Sequence, residues 1–377
     1  MHPGKKTWLW GCALVTALLW IRPQQVLADE ARSAKPAYEL PIAPRPGLAW
    51  AGHLDTEWLA NLGGGRASGT AVDTVGHVGF TMDSTYLHLP PGGWLTVGIL
   101  GVAAHGRQEQ MFGEVQTFSN DWAPSLVRLY DFNWRQDFGA GKTLRLGMMN
   151  VSDYFGVVPA GSQLLNASFG IAPTVTANVP LTPTYPYTGT GVVYSQVAGG
   201  WMGTAGLFQG NPLKPGRPFQ GGYMALAELD RSWSDATART MAGLGLWRYR
   251  PAPGEREAWG WYGLADRQSR WVGRHLDWFV QWGASSGGQD SVPYYLGLGV
   301  RLHGPWAARP RDALSLGVAR AWLNDTPHAA ETVLEATYVW RFNKSLYLQP
   351  DLQWALNPGG TYPDVLAGIL RLHMEFF

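Results

Sequence analysis

The chain has 377 residues, with 29 Lys and Arg against 28 Asp and Glu, 48 Gly, 20 Trp, 15 Tyr, 13 Phe and a single cysteine. A balance this close to neutral excludes the basic patch that nucleic acid demands, and Cys12 alone excludes a disulfide framework. Beyond the N-terminal signal no stretch approaches the roughly 18 uninterrupted apolar residues of a transmembrane helix, so this aromatic, glycine-rich chain must hide its apolar surface in another way.

Lys5 and Lys6, an apolar run from Trp8 to Ile21 and the small-residue site Val26-Leu27-Ala28 make residues 1–28 a secretory signal peptide. Cleavage after Ala28 removes Lys5, Lys6 and Arg22 but no acid, so the 29 basic residues become 26 against 28 acidic ones. Residues 29–49 are rich in Ala and Pro and show no periodicity. They read as a flexible periplasmic leader, with plugging or lining of a pore mouth as the alternative.

About sixteen strand-like runs follow, from 50–62 to 363–376, within a domain spanning 50–377. The last three are the clearest. From Glu331 to Phe342 the even positions are Thr332, Leu334, Ala336, Tyr338, Trp340 and Phe342, opposite Glu331, Val333, Glu335, Thr337, Val339 and Arg341. The same period of two recurs with Leu346, Leu348, Pro350, Leu352 and Trp354 opposite Tyr347, Gln349, Asp351 and Gln353. It returns in Leu366, Leu370, Leu372, Met374 and Phe376 opposite Arg371, His373 and Glu375. Strands of a soluble sandwich run about 5–6 residues, whereas these are long enough for the roughly 9–11 that cross a bilayer at a tilt. The fold class is therefore all-β, a transmembrane antiparallel β-barrel of about 16 strands with inward-folded external loops. On the fourth strand the alternation sets Asp131, Asn133, Arg135 and Asp137 against Tyr130, Phe132, Trp134 and Phe138, which places Tyr130 on the outward face.

The long connectors, 105–124, 152–187 and 209–220, all follow odd-numbered strands, which puts both termini at the periplasmic end. Residues 152–187 carry Leu164, Leu165, Phe169, Ile171 and Val175, too apolar for a solvated loop. In a barrel of this size they can be buried in the lumen, narrowing the pore; packing over the mouth or against a neighbouring subunit is the other option. The inward polar faces supply candidate pore-lining residues: Asp131, Arg135, Arg145, Glu335, Arg341, Asp351 and Arg371. Acids and bases are mixed, which suits hydroxyl-rich neutral solutes more than ions of one sign.

Enzymatic signals are poor. Gly283-Ala284-Ser285-Ser286-Gly287 matches G-x-S-x-G by letter, but the nucleophile needs a strand-to-helix turn and a strand follows here. The nine histidines have no paired-ligand spacing, so neither metal nor cofactor is expected.

Several segments resemble the carbohydrate-selective porins of Gram-negative outer membranes, the OprB-like family. They are Leu59-Ala60-Asn61-Leu62-Gly63-Gly64-Gly65, Arg128-Leu129-Tyr130-Asp131, Leu165-Asn166-Ala167-Ser168-Phe169-Gly170-Ile171-Ala172-Pro173 and Glu331-Thr332-Val333-Leu334-Glu335. With them go Leu348-Gln349-Pro350-Asp351-Leu352-Gln353-Trp354 and Asn357-Pro358-Gly359-Gly360. The resemblance implies a sixteen-stranded barrel passing sugars by diffusion, with external loops folded into the channel. The chain departs from the family pattern at Asn133, Arg135, Asn150 and Ser152, which makes the fourth-strand side of the pore more basic. The expected partners are small sugars, outer-membrane lipid and the barrel-assembly machinery acting on Phe377, with a homotrimer one assembly open to such a barrel. The other readings are an outer-membrane barrel enzyme of lipase or deacylase type and a secreted β-rich glycan-binding protein.

Overall fold

The computed structural model describes residues 40–376 apart from 107, 214–218, 253, 255, 272, 273 and 290. The expected signal peptide, the leader up to residue 39 and Phe377 lie outside the described residues. Within them the chain forms β1 (Leu48–Gly64), β2 (Gly69–Asp83), β3 (Gly93–His105), β4 (Leu126–Asp137), β5 (Lys142–Met149), β6 (Gly189–Ala198), β7 (Trp201–Gln209) and β8 (Gly222–Ser234). It continues with β9 (Ala238–Pro251), β10 (Ala258–Trp271), β11 (Arg274–Gly287), β12 (Tyr294–His303), β13 (Ala313–Trp322), β14 (Ala330–Arg341), β15 (Leu346–Leu356) and β16 (Val365–Phe376). Each strand pairs antiparallel with its sequence neighbours, and β1 pairs with β16, so the sheet closes into a barrel with no free edge.

The burial pattern is inverted relative to a soluble protein. Val127 is 81% exposed and Leu246 66%, both on the outward face, while inward-facing Glu331 and Gln353 are fully buried. An apolar outside and a polar inside, alternating along every strand, is what lipid on one side and a filled lumen on the other require. The two ends also differ. Residues 139–141 join β4 to β5 with Gly139, Ala140 and Gly141 all at positive φ (75°, 50° and 73°), a tight reversal that glycine makes accessible. At the opposite end lie the connectors 106–125 and 150–188.

One outward assignment from the sequence is corrected. The β3–β4 register shifts between Gly98 and Ile99, whose partners are Asp131 and Leu129, leaving Tyr130 as the extra residue of a bulge. Arg128 and Tyr130 precede the shift and Asp131, Asn133 and Arg135 follow it, so Tyr130 turns inward with Asp131 and is fully buried. In β15, Pro350 has no N–H to donate, and the β14–β15 pairing is interrupted at Tyr338 and Val339 without changing register.

The outward face yields a direct test. Leu244 sits midway along β9 and points outward. Leu244→Arg is expected to destabilise the barrel by about 2–4 kcal/mol in lipid vesicles, measured by reversible denaturant titration. No change would place that face against water.

Candidate functional site: a lumen narrowed by two inward loops

The connector 150–188 starts with Asn150, whose Oδ1 accepts from the backbone N–H of Ser152 (3.1 Å) and caps a short 3-10 turn; Asn166 does the same for Ser168 (3.0 Å). Along this connector Phe155, Val158, Leu164, Leu165, Phe169, Ile171 and Val175 are buried. The wall makes room for them with glycine. A Cβ on Gly317 would lie 2.6 Å from Phe169 Cζ, and one on Gly206 2.9 Å from the Phe155 ring. Phe169 meets Phe279 of β11 edge-on at 5.7 Å between centroids.

An irregular segment inside a barrel still has backbone polar groups to satisfy. Inward side chains of the wall supply the partners. Glu228 accepts from Gly156 N (2.7 Å), Asp266 from Ala160 N (2.7 Å), and Glu335 from Leu165 N (2.5 Å) and Asn166 N (3.1 Å). Donors serve the loop carbonyls: Tyr295 Oη to Ser168 O (2.8 Å), Gln281 Nε2 to Gly170 O (3.1 Å) and Gln349 Nε2 to Gln163 O (2.7 Å).

The connector 106–125 is held in the same manner. Glu331 accepts from Val115 N and Gln116 N (both 2.8 Å) and from Gly359 N (2.7 Å), and Gln353 Nε2 donates to Phe118 O (2.7 Å). The two loops also bond each other, Asn120 N to Leu165 O (2.7 Å) and Ala167 N to Thr117 O (2.9 Å). Arg371 of β16 ties the 106–125 connector to the wall: it reaches Glu57 (2.6 Å), Asp121 (2.9 Å) and Asn120 Oδ1 (2.6 Å). Outside the strands, burial pushes the Glu114 carboxyl up to about 8, and neighbouring Glu331 adds to the rise.

A cavity of about 380 Å³ remains between the loops. Its lining combines amides, hydroxyls and rings, including Thr117, Asn120, Trp122, Asn150, Thr184 and Tyr185, with the aliphatic side chains of Val158, Leu164 and Ile171, and Asp153 is the only carboxylate among the lining residues. On the inward faces of β1, β2, β15 and β16 lies a row of rings. His373 stacks on Tyr347 (4.4 Å) and lies 5.9 Å from His53, which is 5.7 Å from His77. Asp55 holds His373 (2.7 Å) and Asp131 holds His77 (3.1 Å).

All seven candidate residues are on inward faces, but they divide into two groups. Asp131 pairs with His77, Arg135 lies over Trp94 (5.1 Å), Arg145 over Tyr154 (5.4 Å) and Arg341 over Tyr347 (5.1 Å). Glu335, Asp351 and Arg371 are buried where the loops dock on the wall, and Asp131 and Arg135 are buried to a similar degree. Glu335 and Arg371 bond loop atoms directly, and Asp351 receives Gln353 Nε2 (2.9 Å). The sequence reading missed Asp55, Glu57, His53 and His77, although the alternation of β1 and β2 carries them. It also missed Asn120, Asp121, Trp122 and Tyr185, whose place is set by loop packing that no period encodes. Ser285 of the G-x-S-x-G pattern lies within β11; its hydroxyl donates to Val292 O (2.8 Å) and accepts from Asn178 Nδ2 (2.6 Å).

A closed sixteen-stranded barrel with loops folded into its lumen defines the porin class of outer-membrane channel. Residues 195–376 match the family model for the carbohydrate-selective porin, OprB family. The structure is similar to the high-pH structure of Pseudomonas putida OprB, with TM-score 0.79 and 17% identity over 88% of this chain and 95% of that one. It is also similar to the low-pH structure of the same protein (TM-score 0.59, 15% identity, 88% and 93% covered). The Salmonella typhi OmpF complex with daunomycin shares the fold too (TM-score 0.59, 10% identity, 88% and 98% covered). No curated protein sequence matches the chain.

Two outcomes follow from how the loops are held. Glu335→Ala strands two buried backbone donors at about 1–3 kcal/mol each. The variant is expected to unfold at a lower temperature on heat-shifted gels and to give noisier single-channel currents. Glu114 sets a pH dependence. Its folded pKa of about 8 exceeds the ordinary 4.5, so the loop is most stable below that ordinary value and loses stability as pH rises toward 8. Chymotryptic cleavage at Phe112 and Phe118 should be faster at pH 9 than at pH 6 relative to a denatured control, a difference that Glu114→Gln removes.

Proposed function

We propose that this porin passes small sugars and similar polyols by passive diffusion across a Gram-negative outer membrane. The observation that carries the reading is the cavity between the two loops. It is large enough for a single sugar ring, and its amides and hydroxyls match ring hydroxyls while Trp122 and Tyr185 offer faces for the apolar side of a pyranose. Asp131, Arg135, Arg145 and Arg341 line the passage beside it, with mixed charge and therefore weak preference for either ion sign. Glu335, Asp351 and Arg371 act at one remove, by fixing the loops that shape it. Long connectors at one end make that end external, and the short turns periplasmic. In this reading the outward face contacts lipid, the C-terminal strand with Phe377 is the part read by the assembly machinery, and a homotrimer is one way to arrange the barrels. Transport by diffusion calls for no cofactor and no covalent step.

The test is liposome swelling with sugars and size-matched charged solutes. Neutral sugars should enter faster than organic anions and cations of equal size. Replacing a stacking face costs roughly 0.5–1.5 kcal/mol, so Trp122→Ala should weaken saturable sugar entry about 2- to 10-fold. Equal rates for all solutes, unaffected by Trp122→Ala, would remove the cavity from the solute path.

A further inference from the structure

The residues just before β1 enter the lumen. Gly47 O accepts from Asp83 N (2.9 Å) at the short-turn end of β2. Arg45 pairs with Asp83 (3.4 Å), and its guanidinium lies 4.3 Å from the centre of the Trp94 ring. Trp94 Nε1 then donates to Ala43 O (3.2 Å), the Thr81 hydroxyl donates to Pro41 O, and Leu40 sits over Gly79. From Gly47 back to Leu40 the contacts climb β2 from residue 83 to residue 79. That is roughly 13 Å along the wall at ~3.3 Å per residue. Every partner is on the inward face, since Thr81, Asp83 and Trp94 are buried while Val78 on the opposite face is exposed. The fit at Gly79 is close: a Cβ there would come within 2.5 Å of Leu40 Cδ1. Leu40 and Ala43 are buried against the wall, whereas Ile42, Pro44 and Arg45 remain exposed.

We infer that residues 40–47 form a sill inside the periplasmic mouth of the barrel, a fixed part of the solute path that sets its size limit. The inference rests on the barrel being a channel. The contacts resist loss individually and together. Trp94 is fixed from two sides in sequence, by Arg45 and by Arg135 of β4 (5.1 Å), so docking of the segment is coupled to one of the residues that lines the passage. A segment serving only to start β1 would need the bond at Gly47, not an apolar anchor seven residues earlier seated on a wall glycine.

The test uses full-length protein, and its first variant leaves the barrel wall unchanged. Leu40→Asp/Arg45→Asp removes the apolar anchor and sets a carboxylate against Asp83. Correct folding is read from the heat-shifted gel band. Removing one peptide strand from a narrow mouth should raise single-channel conductance on the order of 1.5-fold or more and admit larger neutral solutes in liposome swelling. A second variant adds Pro41→Cys and Thr81→Cys to this pair, in a protein whose only other cysteine is Cys12. Oxidation should restore wild-type conductance, and dithiothreitol should abolish the restoration. Wild-type conductance and size limit in a folded Leu40→Asp/Arg45→Asp protein would overturn the sill. Absence of channels from wild-type protein would instead overturn the channel reading itself.

Discussion

Everything that distinguishes this barrel from an open cylinder depends on carboxylates and amides of the wall binding the backbone of its own loops. A loop in a lumen cannot form a ladder, so each buried N–H and C=O must find a side chain. Glu228, Asp266, Glu331 and Glu335 accept from loop N–H groups, while Gln281, Tyr295, Gln349 and Gln353 donate to loop carbonyls. These side chains come from β8, β10, β11, β12, β14 and β15, a continuous arc of wall except for β9 and β13, where glycines, small residues and rings admit the loop's aromatic groups. On the opposite arc, β1, β2 and β4 with β16 carry a cluster of rings and charges, from which Glu57 and Arg371 also bind the 106–125 loop.

These bonds explain how a chain with nearly balanced charge can build a polar channel. Acids are bonded locally, by loop N–H groups and by Arg371 or histidine rings. Charge is therefore spent on geometry, and the cavity between the loops is lined by apolar side chains such as Val158, Leu164 and Ile171 together with neutral donors and acceptors. A neutral solute with many hydroxyls loses water there and regains hydrogen bonds, whereas an ion regains little.

The strands were legible because lipid and lumen impose a strict period of two, and the alternation from Glu331 to Phe376 survives in the structure side chain by side chain. Where that period is broken locally the reading failed: Tyr130 turns inward because a bulge adds one residue, and a bulge leaves no compositional trace here. The inward fold of 150–188 was legible from Leu164, Leu165 and Phe169, too apolar for a solvated loop, with packing over the mouth or against a neighbouring subunit as the alternative. The roles of Glu335 and Asp351 were not legible. Their direction follows from their own strands, but their covering comes from Leu165, Asn166 and Gln163, about 170 residues or more away in sequence for Glu335. The same limit hid Asn120, Asp121 and Trp122, which acquire a position only when two loops dock on each other.

The most direct measurement of this account is single-channel current of the refolded protein in a planar bilayer during titration with glucose. A cavity lined by fixed neutral donors and aromatic faces predicts stable open channels whose current falls saturably as glucose occupies it. Current that falls only in proportion to solution conductivity, with no saturation, would contradict a sugar-binding constriction held in place by the wall.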